Sequence, residues 1–205
     1  MSEQPLRLLI AEDVELVAEA FEALLSTEPA FLVVARVGRG DQVLPAVERY
    51  RPDVALLDVD MPGATGIEAA RLVTAGYPDC KVILLTALPG SGHVHRALAA
   101  GASGYLVKAT TGARLIDAIK AVAAGTIVID PQLAADALRS GPNALSEREQ
   151  QILRLVDQGY STRAIAAELF LSHGTVRNYL STVMTKLDAR TRVEAVRAAH
   201  RRGWL

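Results

Sequence analysis

The chain has 205 residues, of which 50% are hydrophobic and 4% aromatic, and its formal net charge is −1. This composition excludes a disordered chain and is typical of one large globular domain or two small ones. No apolar run approaches the ~20 residues of a membrane-spanning helix, and the first residues lack the basic start and apolar stretch of a signal peptide, which predicts a cytoplasmic protein.

The distribution of charge along the chain and the number of cysteines limit the functions to be considered. Residues 1–125 carry a net charge of −4 and residues 126–144 a net charge of −1, whereas residues 145–205 carry +4. A basic C-terminal third on an acidic remainder indicates that this third meets a polyanion. The single cysteine, Cys80, cannot form an internal disulfide, which fits a reducing compartment, and we expect it to be structural rather than catalytic.

The first 125 residues alternate short apolar runs with stretches of helical periodicity. The runs are rich in Val, Ile and Leu, are too short for helices and predict buried strands. Strands alternating with helices form a parallel sheet covered on both faces, so we predict a five-stranded, doubly wound, flavodoxin-like α/β domain. The predicted strands are residues 6–11, 31–37, 54–57, 81–86 and 104–107, and the predicted helices lie at 14–25 and near 40–50, 66–76, 91–100 and 111–124.

A linker follows the last of these helices, which Gly125 ends. Residues 126–144 contain Pro131, Gly141 and Pro142 around a short helical stretch at 133–138. Proline and glycine at this density are typical of a connection between domains. We therefore expect one domain at 1–125, a linker with a short helix at 126–144 and a second domain at 145–205.

From residue 145 onward the pattern is helical throughout. Ser146 and Glu149 have the spacing of a capping box, which begins a helix ending near residue 158. Ser161, Ser172 and Thr191 are placed to begin three more helices, at 163–169, about 173–187 and 191 to Gly203. The short turn at 170–172 predicts a helix-turn-helix in a small all-α domain, with the third helix offered to the DNA major groove.

Polar residues follow four strands of the predicted sheet. Glu12 and Asp13 follow the first strand, Asp58 the third, Thr86 ends the fourth and Lys108 follows the fifth. Because the carboxyl ends of parallel strands share one edge of a sheet, we expect these residues to converge. Three carboxylates repel one another unless a hard cation such as Mg²⁺ is bound, and Asp58 can then act as a nucleophile toward phosphorus, with Lys108 neutralising phosphoryl charge.

These segments resemble the receiver domains of two-component response regulators over about 120 residues. The resemblance rests on Ile-Ala-Glu-Asp at 10–13, Leu-Asp-Val-Asp-Met-Pro-Gly at 57–63, Leu-Thr-Ala at 85–87 and Gly-Tyr-Leu-Val-Lys at 104–108. It implies that Asp58 accepts a phosphoryl group from a histidine kinase and that Thr86 and Tyr105 form the switch. It also implies a Mg²⁺ site made by Glu12, Asp13, Asp58 and the backbone carbonyl of Asp60.

The third helix of the second domain has the residues expected of a DNA-reading helix. Its inward stripe is Val176, Leu180, Val183 and Leu187. Arginine pairs well with guanine and asparagine with adenine, so the outward face is expected to read bases. We predict base contacts from Arg177, Asn178, Ser181 and Thr182, and phosphate contacts from Thr175, Lys186 and Arg190.

The second domain resembles the LuxR-type output domain, through Leu-Ser-Glu-Arg-Glu at 145–149, Ile-Ala-Ala-Glu-Leu at 165–169, Ser-His-Gly-Thr-Val-Arg-Asn at 172–178 and Lys-Leu at 186–187. The whole chain is therefore similar to the NarL/FixJ family. Through Thr-Val-Arg-Asn-Tyr at 175–179 and Gly-Trp at 203–204 it looks closest to a DesR-like subgroup. The resemblance implies a regulator without enzymatic activity that dimerises when phosphorylated and binds repeated DNA half-sites. Candidate dimer surfaces are apolar residues of two helices. On the last receiver helix they are Leu115, Ile116, Ile119 and Val122, of which some must face the sheet, and on the last helix of the chain they are Val193, Val196 and Ala199 with Trp204.

Three other functions stay open from the sequence. Asp58-Val59-Asp60 resembles the Asp-x-Asp start of haloacid-dehalogenase-type phosphatases, but there the motif follows the first strand and a cap domain covers it. A second alternative is a DNA-binding dimer whose activity does not depend on phosphorylation. A third is a receiver that acts on a partner protein and not on DNA.

Overall fold

The structure is a computed structural model that describes residues 4–87, 91–140, 143–202 and 204–205, without the side chains of residues 91–93, 136 and 138–140. Three residues used above, the linker residues 141 and 142 and the helix end at Gly203, lie outside the described residues. The chain divides into two compact units, of which the first covers most residues up to Ala134 and the second covers Ala135 to Leu205. Among the described residues, no helix has both the length and the apolar character needed to cross a membrane.

The first unit is built on a parallel sheet with the strand order β2-β1-β3-β4-β5-β6. This order confirms the doubly wound, flavodoxin-like prediction, because the chain reverses direction across the sheet between β1 and β3. The sheet has six described strands rather than the predicted five. The strands are β1 (Leu6–Ala11), β2 (Phe31–Val37), β3 (Val54–Asp58), β4 (Lys81–Thr86), β5 (Gly104–Val107) and β6 (Val128–Ile129).

The additional strand, β6, lies in the segment expected to be linker. It pairs in parallel with β5, with Val128 opposite Gly104 and Ile129 opposite Tyr105. The backbone N–H of Asp130 then donates to the carbonyl of Tyr105 at 2.9 Å, and the Asp130 carboxylate accepts from the N–H of Gln132 at 3.0 Å. The predicted short helix follows as α6 (Pro131–Ser140), so the segment after Gly125 begins as part of the sheet.

Helices α1 to α5 cover the two faces of this sheet. Apolar residues of the strands pack against α1 and α5 in one buried cluster that includes Leu8, Ile10 and Leu56. Leu115, Ile119 and Val122 of α5 belong to the same cluster and Ile116, which is partly buried, packs against it, so the first three face the sheet and are not available as a dimer surface. The helices are α1 (Glu15–Leu25), α2 (Val43–Tyr50), α3 (Gly66–Gly76), α4 (Ser91–Ala99) and α5 (Gly112–Ala123).

The second unit contains four helices after α6, namely α7 (Glu147–Asp157), α8 (Thr162–Glu168), α9 (His173–Leu187) and α10 (Arg192–Arg201). The capping box is confirmed, because the Ser146 side chain accepts from the Glu149 N–H and the Glu149 side chain accepts from the Ser146 N–H. Ser161, Ser172 and Thr191 each accept a backbone N–H at the start of α8, α9 and α10. Local hydrogen bonding therefore decides where all four helices begin.

Two apolar clusters hold these helices together. Ile152, Ile165 and Val176 join α7, α8 and α9 in one cluster. Ala199 and Trp204 are buried in the other cluster, and Val196 packs against it. The apolar stripe considered for dimerisation is thus mostly buried in the core. Val193, which is 61% exposed, is the residue of that stripe that faces solvent.

Candidate functional site

The predicted acidic site forms at the carboxyl edge of the sheet. Lys108, which follows β5, places its Nζ 2.7 Å from Oε2 of Glu12, which follows β1. The same Nζ lies 3.0 Å from Oδ1 of Asp58, at the end of β3. Ninety-six residues of chain separate Glu12 from Lys108, so the parallel order of the strands is what brings these charges together.

The carboxylates of Glu12, Asp13 and Asp58 fit a divalent cation. One oxygen from each residue lies within 4.8 Å of the others, with Glu12 and Asp58 buried and Asp13 exposed. With Lys108 as the neighbouring cation, three ionised carboxylates leave a net charge of −2. A hard ion with oxygen ligands, such as Mg²⁺, matches this charge and donor set. Asp60 lies two residues beyond Asp58 in the loop before α3, and its side chain is exposed.

Burial and charge act in opposite directions on this site. Burial raises the pKa of the Asp58 carboxyl and the charge of Glu12 adds to the increase, whereas the Lys108 ammonium lowers it. Burial alone would lower the pKa of Lys108, but its hydrogen bonds and charge interactions with Glu12 and Asp58 raise that pKa overall. Lys108 therefore stays protonated near neutral pH and keeps a positive charge beside the Asp58 carboxylate.

Two glycines, Gly40 and Gly66, allow close backbone approaches around the loop after Asp58; the sequence indicates a loop-shaping role for Gly66 but not for Gly40. A Cβ added at Gly66 would lie 2.0 Å from the carbonyl oxygen of Asp58, and one at Gly40 would lie 1.9 Å from the carbonyl oxygen of Ala64. The Gly66 N–H donates to the carbonyl of Val59 at 2.9 Å. Helix α3 thus begins in direct contact with the backbone of Asp58, an approach that only glycine allows.

The predicted switch residues lie on neighbouring strands. Thr86 ends β4 and is 2% exposed, and its carbonyl accepts from the Lys108 N–H at 2.8 Å. Tyr105 in β5 is fully buried, and burial raises the pKa of its phenol to about 12. Tyr105 therefore already occupies an interior position in this structure, and its movement on phosphorylation stays a prediction.

The predicted DNA-reading residues lie on the solvent side of α9. Val176, Leu180, Val183 and Leu187 are buried in the two apolar clusters, which confirms the inward stripe. Thr175 at the start of the helix is half-buried and hydrogen bonds to Ser172 at 2.8 Å. The remaining predicted contacts are exposed, namely Arg177, Asn178, Ser181, Thr182 and Lys186 on α9 and Arg190 in the turn that follows it.

Lys186 lies on α9 and is exposed, but it also has an ion-pair partner that the sequence did not indicate. Its Nζ donates to both carboxylate oxygens of Glu149 in α7, at 2.9 and 2.7 Å. The Glu149 side chain is 5% exposed and the Lys186 side chain 35%. The ammonium expected to meet a DNA phosphate is therefore engaged by a buried carboxylate of the same unit, a pairing that no local sequence signal indicates.

Two sequence families match the chain. The response regulator receiver domain matches residues 8–120, a range that contains Glu12, Asp58 and Lys108. The family described as bacterial regulatory proteins, luxR family, matches residues 143–199, a range that contains α7, α8 and α9. The two matches together include every residue placed above in the acidic site and on the outer face of α9.

Relatives align along almost the whole chain. Transcriptional regulatory protein DesR of Bacillus subtilis is 39% identical over 198 residues, which is 96% of this chain and 98% of that protein. The DNA-binding transcriptional activator DevR/DosR of Mycobacterium tuberculosis is 33% identical over 92% of this chain and 91% of that protein. The order of the two parts is thus the same in these transcription regulators.

Solved structures agree with the fold. The response regulator ChrA of a heme-sensing two-component system, 31% identical, superimposes with a TM-score of 0.60 over 99% of this chain and all of that chain. RcsB in complex with DNA superimposes with a TM-score of 0.68 over 97% of this chain and 99% of that chain, and at 21% identity it bears on the fold alone.

Proposed function

This chain belongs to the NarL/FixJ family of response regulators, with a receiver domain and a LuxR-type DNA-binding domain, and we propose that phosphorylation of Asp58 activates it as a transcription regulator. The observation that carries this proposal is the Lys108 Nζ lying within 3.0 Å of both Glu12 and Asp58. That arrangement joins a buried carboxylate nucleophile to a fixed positive charge. The phosphoryl donor would be a histidine kinase working with this chain in the cytoplasm.

The chemistry proposed for Asp58 is phosphoryl transfer to a carboxylate. An Asp58 oxygen attacks phosphorus and forms an O–P bond while the bond from phosphorus to the donor nitrogen breaks, and that nitrogen keeps the electron pair. Lys108 supplies positive charge where the phosphoryl oxygens arrive. Asp58 is 4% exposed, so the surrounding protein fixes the position of its carboxylate beside Lys108 before the donor arrives.

Glu12, Asp13 and Asp58 would hold Mg²⁺, with the backbone carbonyl of Asp60 as a further ligand. When bound, the ion supplies positive charge that offsets the carboxylates and the incoming phosphoryl oxygens. The support for this assignment is the clustering of three oxygens within 4.8 Å. The haloacid-dehalogenase alternative is less consistent with the fold, because Asp58 ends β3 rather than the first strand and only a short loop separates it from α3.

The test of the acceptor is labelling with acetyl phosphate. Asp58→Asn should abolish labelling, because an amide is a poor nucleophile, and excess chelator should abolish labelling of the wild type. Asp79→Asn is the matched control, because Asp79 is an exposed acid just before β4, at the opposite edge of the sheet. Labelling of Asp58→Asn that persists without metal would place the acceptor elsewhere and overturn this part of the proposal.

The output we propose is DNA binding by a phosphorylated homodimer. One helix-turn-helix makes few base contacts, so two units reading repeated half-sites with centres about 10 bp apart give the affinity a regulator needs. Arg177, Asn178, Ser181 and Thr182 would contact bases, and Thr175 and Arg190 would contact phosphates. The support for the assignment is the exposure of these side chains on α9 and, for Arg190, in the turn after it; Thr175 is partly covered.

Sedimentation and footprinting with and without acetyl phosphate test this output. The phosphorylated protein should sediment as a dimer and protect two half-sites, with affinity that falls steeply as salt rises. Equal dimerisation and protection without phosphate would favour the phosphorylation-independent alternative. Phosphorylation without protection of any DNA would favour a receiver that acts on a partner protein.

A further inference from the structure

The first turn of α7 contacts both helices of the helix-turn-helix. Glu149 accepts the Ser146 N–H at 2.7 Å as part of the capping box, and its carboxylate also accepts from Nζ of Lys186, 37 residues further along the chain. A helix cap requires only the first of these bonds. The second bond fixes the C-terminal part of the recognition helix α9 to the start of α7.

Arg148, the residue before Glu149, binds the other helix. Its guanidinium donates to the carbonyl of Leu169 at 2.9 Å, and Leu169 is the C-cap of α8. The last carbonyls of a helix have no partner within the helix, so this bond satisfies one of them. Two adjacent side chains on one turn of α7 therefore bind the C-terminal ends of α8 and α9, the two helices that the turn at 170–172 connects.

We propose that Arg148 and Glu149 form a clamp that sets the orientation of α9 relative to α8, and that Lys186 acts on DNA binding through Glu149 rather than through a DNA phosphate. This inference rests on the proposed function of α9 in reading DNA. All three are positioning residues, since their polar atoms bind other parts of the same unit.

Burial explains why the ion pair stays closed. If Lys186 turned toward a phosphate, the Glu149 carboxylate would keep only the capping bonds in a site where its side chain is 5% exposed. Leaving a buried charge without its partner is strongly unfavourable. Burial alone would raise the pKa of Glu149, yet the bonds to Lys186 and Ser146 lower it overall, so the Glu149 carboxyl is ionised at neutral pH.

The position of Lys186 along α9 agrees with this role. Lys186 is the penultimate residue of α9, nine residues beyond Arg177, which corresponds to roughly 13 Å along the helix axis. A recognition helix of this kind contacts bases mainly through its N-terminal residues. A tether at the far end of the helix controls the direction in which the N-terminal residues point.

Salt dependence of DNA binding separates a positioning role from a phosphate contact. Each phosphate contact contributes about 0.9 to the slope of log affinity against log salt, so losing one changes the ratio of affinities at about 50 and 200 mM salt by roughly 3.5-fold. A change in the orientation of α9 weakens the specific complex but removes no contact between a cation and a DNA phosphate, so the salt slope stays the same. Sequence discrimination falls as well, because base contacts depend on orientation more than phosphate contacts do.

The experiment uses the full-length phosphorylated protein and two duplexes, the promoter segment protected in the footprint and a shuffled duplex of equal length. Lys186→Met and Glu149→Gln should each weaken binding to the promoter segment about tenfold, with little change on the shuffled duplex and an unchanged salt slope. Their double variant should be no weaker than either single variant, because both remove one interaction. Arg148→Met should also weaken promoter binding at an unchanged slope.

Two controls make the outcome decisive. Arg190→Met removes an exposed cation proposed to contact phosphate, and it should lower the slope by about 0.9. Lys186→Arg keeps the ion pair and should restore promoter binding. Affinities are measured at a temperature where the thermal unfolding curve of each variant shows it to be folded, and if Glu149→Gln does not fold, Lys186→Met and Lys186→Arg still separate the two roles.

Three results would overturn the clamp. A lower salt slope for Lys186→Met, with Glu149→Gln unchanged, would make Lys186 a phosphate contact. A lower melting temperature with unchanged affinity and discrimination would make the pair purely structural. The third result is equal binding of both duplexes by the wild type while Arg190→Met still lowers the salt slope. That result would refute the proposed reading of bases by α9, and the clamp, which rests on that reading, would fail with it.

Discussion

Replacing Gly66 with alanine tests whether the close approach of α3 sets the geometry of Asp58. The added Cβ would lie 2.0 Å from the Asp58 carbonyl oxygen, 2.9 Å from its carbonyl carbon and 3.1 Å from Cδ2 of Leu84. Ordinary contact begins at 3.4 Å, so helix and strand must separate by about 1.4 Å, measured along the shortest of these contacts. Leu84 is fully buried, which leaves the backbone of Asp58 or the start of α3 to move.

The expected effects follow from that displacement. Overpacking of this kind costs about 1–3 kcal/mol of stability, partly offset by the higher helix propensity of alanine. Misplacement of a reacting group by about 1 Å can lower a rate roughly 100-fold. We therefore expect Gly66→Ala to remain folded, to lose about 1–2 kcal/mol in urea unfolding, and to accept phosphate from acetyl phosphate at least about tenfold more slowly.

The same helix provides a matched control. A Cβ added at Gly76, the last residue of α3, meets nothing within 4 Å, so Gly76→Ala should leave labelling unchanged and should not lower stability. Initial labelling rates at saturating Mg²⁺ and urea unfolding curves are measured for both variants. If Gly66→Ala is labelled as fast as Gly76→Ala and unfolds at the same urea concentration, the contact with Asp58 does not constrain the site.

Three further predictions concern single side chains. Thr86→Ala should still accept phosphate on Asp58 but respond weakly in DNA binding, and equal activation of variant and wild type in a footprint would remove Thr86 from the switch. Phe170 is 96% exposed and has a left-handed backbone with φ of 53°. Because glycine relieves the strain of this conformation, Phe170→Gly should raise the free energy of unfolding, measured in urea, by about 0.5–1 kcal/mol, and a loss of stability would refute this. Burial raises the pKa of the Cys80 thiol to about 12, so at pH 8 a thiol reagent should label Cys80 only as the protein unfolds. Since an exposed thiol ionises near 8.5, the free energy of unfolding should also fall as pH rises from about 8.5 toward 12, and Cys80→Ala should lack this contribution.

Local patterns explain why the strands, helices and caps of both units could be predicted from sequence. Runs such as the one that became β4 (Lys81–Thr86) are apolar over a length that suits a buried strand, and Ser146 with Glu149 identifies its helix start through neighbouring residues alone. The convergence of Glu12, Asp58 and Lys108 follows from the rule that parallel strands end at one edge. These inferences need only nearest neighbours and the topology of the sheet.

What sequence reasoning missed depends on contacts between distant segments. β6 has only two residues, too few for a periodic pattern, and is defined by its pairing with Gly104 and Tyr105. The need for glycine at Gly40 arises from the position of the Ala64 carbonyl. Lys186 has the pattern of a surface cation on α9, and its pairing with Glu149 becomes visible only when α7 packs beside it.

The hydrogen bonds between β6 and β5 bear on what happens when the receiver is separated from the rest of the chain. Proteolysis or truncation directly after Gly125 would remove Val128 and Ile129 and leave the edge of β5 unpaired at Gly104 and Tyr105. An uncovered strand edge is a template for pairing with another chain. Self-association of such a fragment would then report a newly exposed edge and not the phosphorylation-dependent dimer, whereas a fragment that retains the residues through Ala134 keeps that edge covered.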